Sequence, residues 1–166
     1  MATVEIAVLF VCLGNICRSP TAHGVFEKLL AEQGLDSCIR VDSAGTGDWH
    51  LGKQPDPRTI AAGQRRGYDF SQLRARQVSE DDFSHFDYIL AMDGSNLTNL
   101  QAMRPPAFKG RLSLFLPFGP GTQHEVPDPY AGGEEGFEQV LDMIEQAGEG
   151  LLAHLRSRLV NLPPLS

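Results

Sequence analysis

The stretch Val4-Glu5-Ile6-Ala7-Val8-Leu9-Phe10-Val11 constrains the fold of this chain more than any other. Its apolar, β-branched-rich end lacks the alternation of a strand with one face in water, so both faces must be covered. Strands of that kind belong to parallel sheets, whose crossover helices lie on both sides. Cys12-Leu13-Gly14-Asn15-Ile16-Cys17-Arg18-Ser19 follows at once, and then Pro20. Ser19-Pro20 reads as a helix cap followed by proline at the first helical position. The helix then runs from about Thr21 to Gln33, with Val25, Phe26, Leu29 and Leu30 inward and Gly34 at its C-terminal cap. A strand, a glycine-bearing loop and a helix N-terminus together present backbone amides to an anion.

The rest of the chain repeats the alternation. A second strand is expected at Ile39–Ser43, then a long loop over Ala44–Gln54, and a helix capped by Asp56-Pro57 that ends near Arg66 and Gly67. Ser79-Glu80-Asp81-Asp82 starts a short helical turn, Phe86–Ala91 a third strand, Asp93–Met103 a helix and Arg111–Phe115 a fourth strand. Pro117–Gly133 is turn-rich, and Glu134–Val160 is helical with Gly148 and Gly150 as weak points. The pattern predicts an α/β fold: three layers, with a central, about four-stranded parallel twisted sheet flanked by helices. One domain is expected over residues 1–166, with 163–166 a loose tail. A chain of 166 residues is long enough to bury about 70% of its unfolded surface.

The loop carries chemistry. Five residues separate Cys12 from Arg18, which gives one compact turn whose amides can point at a tetrahedral oxyanion. Arg18 supplies a planar fork that bonds two phosphate oxygens at once. Thiols at a helix N-terminus beside a cation fall to pKa values of roughly 3.5–7.5, within reach of neutral pH as thiolates. Such a thiolate can attack phosphorus in line, which makes Cys12 the candidate nucleophile. Gly14 lets the backbone come close and Asn15 tolerates a left-handed conformation. Ser19 could cap the helix or donate to the Cys12 sulfur.

These residues, Val11 to Pro20, closely resemble the signature of the low-molecular-weight protein tyrosine phosphatases. The resemblance continues through Asp42-Ser43-Ala44-Gly45-Thr46, Trp49-His50, Ala75-Arg76-Gln77, Phe86–Leu90, Met92-Asp93-Gly94-Ser95-Asn96 and Val126-Pro127-Asp128-Pro129-Tyr130. It implies that Cys12 is the nucleophile, Arg18 the phosphate clamp and Asp128 the general acid and base. Leu13, Gly14, Asn15, Ile16, Cys17 and Ser19 would then bind substrate, with Trp49 and Tyr130 as aromatic walls at the cleft mouth. A recessed nucleophile is reached by phosphotyrosine but not by phosphoserine. Many family members carry a second tyrosine where this chain has Ala131, so control by phosphorylation there is not expected and the mouth should be more open. The resemblance also suggests a Cys12–Cys17 disulfide that would guard the nucleophile against overoxidation. The plainer reading of Cys17 is a small side chain packed under the loop.

The same resemblance admits neighbours. An arsenate reductase uses a similar loop, but the thioredoxin-coupled type needs further cysteines and none follows Cys38. In protein arginine phosphatases the position of Ile16 tends to be threonine. A phosphotyrosine-binding module without catalysis would have no use for Cys12, Arg18 and Asp128 together. The five histidines have no ligand spacing, so no metal and no cofactor is expected. A net charge of −7 argues against a general nucleic-acid binder, and no apolar run reaches the roughly 18 residues of a membrane span. Met1–Val11 is read as a strand, not a signal peptide. Three cysteines fit a reducing cytoplasm better than a disulfide framework, with signal-less secretion left open. The expected partner is a phosphotyrosine-containing protein, a bacterial tyrosine kinase among the candidates, with phosphate or another oxyanion in the loop.

Overall fold

The computed structural model describes residues 5–130 and 132–161. Strand β1 (Ile6–Cys12) is buried at every position, as its unbroken apolar run requires. It pairs in parallel with β2 (Ile39–Gly45) on one side and β3 (Tyr88–Ala91) on the other. Strand β4 (Arg111–Leu114) adds in parallel to β3, giving the order β2-β1-β3-β4. Alternate residues of β1 serve opposite layers. Val8, Phe10 and Cys12 pack with α1 (Arg18–Glu32), α2 (Pro57–Gln64) and α5 (Glu134–Asn161). Ala7, Leu9 and Val11 pack with α3 (Asp82–His85) and α4 (Gly94–Met103). The α/β sandwich expected from the sequence is therefore present, with four parallel strands between two helical layers.

Aromatic rings fill the thicker layer. Phe10 meets Phe26 and Phe115 edge-on at centroid separations of 5.9 and 4.9 Å, the geometry that ring quadrupoles favour. Phe70 wedges between α1 and α2. A Cβ on Gly24 or Gly63 would lie 2.3 or 2.4 Å from its ring, so both glycines make room for it.

Local expectations change at α1 and α5, and the short helical turn expected from Ser79 is present. Helix α1 begins at Arg18 with Cys17 as N-cap, not with Ser19-Pro20, and no side chain caps it. The Ser19 hydroxyl is drawn instead toward the Cys12 sulfur. The turn at Ser79 closes by reciprocal bonds, Asp82 N to Ser79 O at 3.1 Å and Ser79 N to Asp82 Oδ2 at 2.8 Å, so α3 itself starts only at Asp82. Helix α5 runs unbroken through Gly148 and Gly150. Gly150 is there for close approach: a Cβ would fall 1.8 Å from the Phe118 carbonyl oxygen in the 3-10 turn Leu116–Phe118. The proposed tail at 163–166 lies outside the described residues.

The sheet order also locates a crevice. Chain order reverses at β1, since β2 lies on one side and β3 on the other. In open parallel sheets ligands bind beyond the C-terminal strand ends at such a point. Cys12 is the last residue of β1 there, paired with Gly45, the last of β2.

Candidate active site

Asn15 holds the loop in shape. Its φ of +58° places it in the left-handed region, where a short polar side chain can pay its way through local hydrogen bonds. Asn15 Nδ2 donates to Ser19 Oγ at 2.8 Å, and Asn15 Oδ1 accepts from Arg76 N at 3.0 Å. The Arg76 guanidinium is itself fixed by Asp82, through two bonds of 3.0 Å, and by Asp42 at 3.1 Å. Gly45 lies beneath the loop, where a Cβ would come within 2.7 Å of Leu13 O. Thr46 N and Gly47 N donate to Cys12 O and Leu13 O, both at 2.9 Å.

The Cys12 sulfur sits inside this frame, 3.0 Å from Ser19 Oγ and 3.3 Å from the Asn15 amide. Because Asn15 Nδ2 already donates to Ser19 Oγ, the serine proton is free to point at the sulfur or at Ala44 O, 3.3 Å away. The backbone amides of Gly14, Ile16, Cys17 and Arg18 donate to no other group among the described residues. Together with the N-terminus of α1 they form the kind of amide nest that suits an oxyanion.

Arg18 is 3% exposed. Its Nη1 donates to Asp93 Oδ2 at 2.6 Å and to Val126 O at 3.0 Å, while Nη2 lies 3.8 Å from Asp128 Oδ2. Burial acts to lower the guanidinium, but Cys12, Asp93 and Asp128 outweigh it and hold the group above its usual value. In the sequence Asp93 stands only in a resembling segment and at the start of an expected helix; the structure makes it the cap of α4, accepting from Asn96 N at 2.8 Å. Its pairing with Arg18, 75 residues away, is a tertiary fact with no local signal.

A cavity of about 190 Å³ opens above the loop, lined by Cys12, Leu13, Gly14, Ile16, Cys17, Arg18, Trp49, His50, Asp128 and Tyr130. Asn15 and Ser19 stand behind it and brace the sulfur. Trp49 and Tyr130 are 65% and 52% exposed at the rim, and Asp128 faces the same space with its side chain half exposed. Asp128 Oδ1 accepts from Tyr130 N at 3.0 Å, which closes a turn around the intervening proline. His50 is a wall residue that the histidine count had set aside, its ring 6.5 Å from that of Tyr130. Ala131 lies outside the described residues. Cys17 is buried, and desolvation pushes its thiol up to about 12 although nearby Thr59 acts the other way. It is a neutral thiol at physiological pH, whereas the Cys12 sulfur has the Ser19 hydroxyl and the Asn15 amide beside it.

The profile of the low molecular weight phosphotyrosine protein phosphatases matches residues 7–161. The chain belongs to this family. A family phosphatase of Schizosaccharomyces pombe is 47% identical over 137 residues, covering 81% of this chain and 87% of its own. A protein tyrosine phosphatase from Entamoeba histolytica, solved with Hepes in its active site, superposes with a TM-score of 0.89 at 41% identity and covers 93% of this chain and 99% of its own. A Drosophila arginine phosphatase is also similar, with a TM-score of 0.84, 34% identity and coverage of 90% and 97%. Family membership makes this chain a phosphatase by fold and by signature.

Proposed function

We propose that this phosphatase hydrolyses phosphotyrosine in proteins through a cysteinyl-phosphate intermediate. The observation that carries the reading is one cavity with a hydrogen-bonded Cys12 sulfur at its floor and the Asp128 carboxyl at its side. In the first step Cys12 Sγ attacks phosphorus and the S–P bond forms as the bond to the tyrosyl oxygen breaks. Asp128 gives its proton to the departing phenol oxygen. In the second step water attacks phosphorus, Asp128 takes a proton from it, and the S–P bond breaks to return the thiolate. The free amides of the loop and the open edge of Arg18 stabilise the equatorial oxygens, where charge is spread in the transition state. Asp93 and Val126 O hold Arg18 so that no reorganisation is needed at that moment.

Depth and wall chemistry support tyrosine. Cys12 is buried while Trp49 and Tyr130 stand exposed at the rim, so a long aromatic phosphoester spans the distance and is flanked by rings. Ile16 offers an apolar wall with no acceptor for a guanidinium, which favours the phenyl group over phosphoarginine. A phosphotyrosyl protein, a bacterial tyrosine kinase included, is the partner this site fits. The three free cysteines support a reducing cytoplasm as its setting. Among the described residues no helix is long and apolar enough to cross a membrane.

The test is a side-by-side assay on phosphotyrosine, phosphoarginine, phosphoserine and arsenate with a thiol donor. The highest kcat/KM on phosphotyrosine is expected. A higher value on phosphoarginine would move the assignment to the arginine phosphatases, and efficient arsenate reduction would move it to the reductases.

A further inference from the structure

The segment that carries Asp128 is fixed to the cysteine loop at both ends, and only one of the fastenings belongs to the phosphate site. At its start, Val126 N donates to Met92 O at 2.8 Å and Val126 O accepts from Arg18. Pro127 and Pro129, on either side of Asp128, have no amide proton to donate, so the next anchor must come from beyond them. It comes from α2. Arg58 Nη2 donates to Tyr130 O at 2.8 Å and Arg58 Nη1 to Gly132 O at 3.2 Å. The same guanidinium grips Asp56 through Nε and Nη2, both at 3.0 Å. Asp56 in turn caps α2 and sends its own amide to Ile16 O in the cysteine loop, at 2.8 Å.

We infer that Arg58 is a positioning residue for proton transfer: with Asp56 it staples the Asp128 turn to the Cys12 loop and sets the reach of the carboxyl over the cavity. The inference rests on the proposed role of Asp128. Four of the five guanidinium donors are engaged, in a planar arrangement that lysine cannot reproduce. The guanidinium also packs against two rings, 4.7 Å from the Phe137 centroid and 5.4 Å from that of Tyr130. It therefore locks both the backbone and the ring of the rim residue whose amide orients the Asp128 carboxylate. Hydrogen bonds from Arg58 hold the Asp56 carboxyl below its usual range, so the pair stays ionised throughout the working pH of such an enzyme.

A residue that places a general acid affects leaving groups unequally. A poor leaving group needs the proton in the transition state, whereas a good one departs with little help. The experiment compares Arg58→Met, which keeps the packed stem without donors, with Arg58→Lys, each in the native and the Asp128→Ala backgrounds. Phenyl phosphate and p-nitrophenyl phosphate are the substrates, and circular dichroism verifies folding. Misplacing a catalytic group by about 1 Å costs on the order of a hundredfold, so kcat/KM on phenyl phosphate, which reports the first step alone, should fall about 10- to 100-fold in both variants. The fall in kcat/KM on p-nitrophenyl phosphate should be smaller. In the Asp128→Ala background the Arg58 substitutions should change kcat/KM less than about twofold, because the group they position is gone. Equal losses on both substrates, or the same loss with and without Asp128, would overturn the inference in favour of a structural role. No effect of Asp128→Ala on phenyl phosphate would instead refute the underlying reading of Asp128.

Discussion

Replacing Ser19 by alanine separates the two chemical steps. The hydroxyl lies 3.0 Å from Cys12 Sγ, and among the described residues its competing acceptor is Ala44 O at 3.3 Å. When the sulfur is an anion the proton turns to it, since charge-assisted hydrogen bonds are the stronger ones. Such a bond contributes about 1.5–3 kcal/mol, equivalent to about 10- to 100-fold in rate. In the first step the bond must weaken as the sulfur attacks, so its loss is partly compensated. In the second step the thiolate is the leaving group and the whole stabilisation is missing. Breakdown of the cysteinyl phosphate should therefore become limiting. Stopped-flow measurement with p-nitrophenyl phosphate should show a burst of p-nitrophenol approaching the enzyme concentration, followed by a steady rate reduced about 10- to 100-fold. The variant also strands the Asn15 side-chain amide, at a cost of about 1–3 kcal/mol of stability readable by urea unfolding. A folded Ser19→Ala protein with no burst and kcat within about twofold of the parent would remove Ser19 from the mechanism.

Three further outcomes follow from packing and charge. Gly150→Ala should destabilise by about 1–3 kcal/mol or more, because the new methyl meets backbone at Phe118, whereas Gly148→Ala, 3.8 Å from Phe26, should stabilise by up to about 1 kcal/mol; equal effects in urea unfolding would contradict this account of α5. Burial, with Arg111 and Arg158 nearby, holds His154 below its ordinary value of 6.5, and its Nε2 meets Tyr88 OH at 2.9 Å. The folded pKa is depressed, so stability is complete above 6.5 and is lost as pH falls through the lower folded value; His154→Gln should flatten the decline in unfolding midpoint on that acid side, and an unchanged slope would exclude the residue as its source. Asp93→Ala should raise KM and lower kcat together, since Arg18 loses its 2.6 Å partner, and unaltered kinetics would show that Val126 O suffices to hold it.

What could be read from the sequence was whatever local pattern encodes. The unbroken apolar run of β1 dictated a doubly covered parallel strand, and the cysteine-to-arginine spacing dictated a tight loop at its end. Gly34 and Gly67, with φ of +70° and +85°, mark the ends of α1 and α2 as expected of helix-terminating glycines. The start of α1 was misjudged because Ser19 has the chemistry of a cap, yet its hydroxyl serves the sulfur. Gly148 and Gly150 look alike in sequence, and only the approach of the Leu116–Phe118 turn distinguishes them. The supports of the site were illegible for a related reason. Asp93, Arg76 and Arg58 reach their partners across 75, 61 and 72 residues, distances over which neither periodicity nor capping carries information.

The covalent intermediate is the direct test of the account. Ser19→Ala protein, mixed with p-nitrophenyl phosphate and quenched in acid within the first turnover, should carry one phosphoryl group on the peptide containing Cys12 when analysed by mass spectrometry. Cys12→Ser should carry none on that residue's peptide and should lack turnover. Phosphoryl label on another residue, or sustained hydrolysis by Cys12→Ser, would contradict Cys12 as the nucleophile.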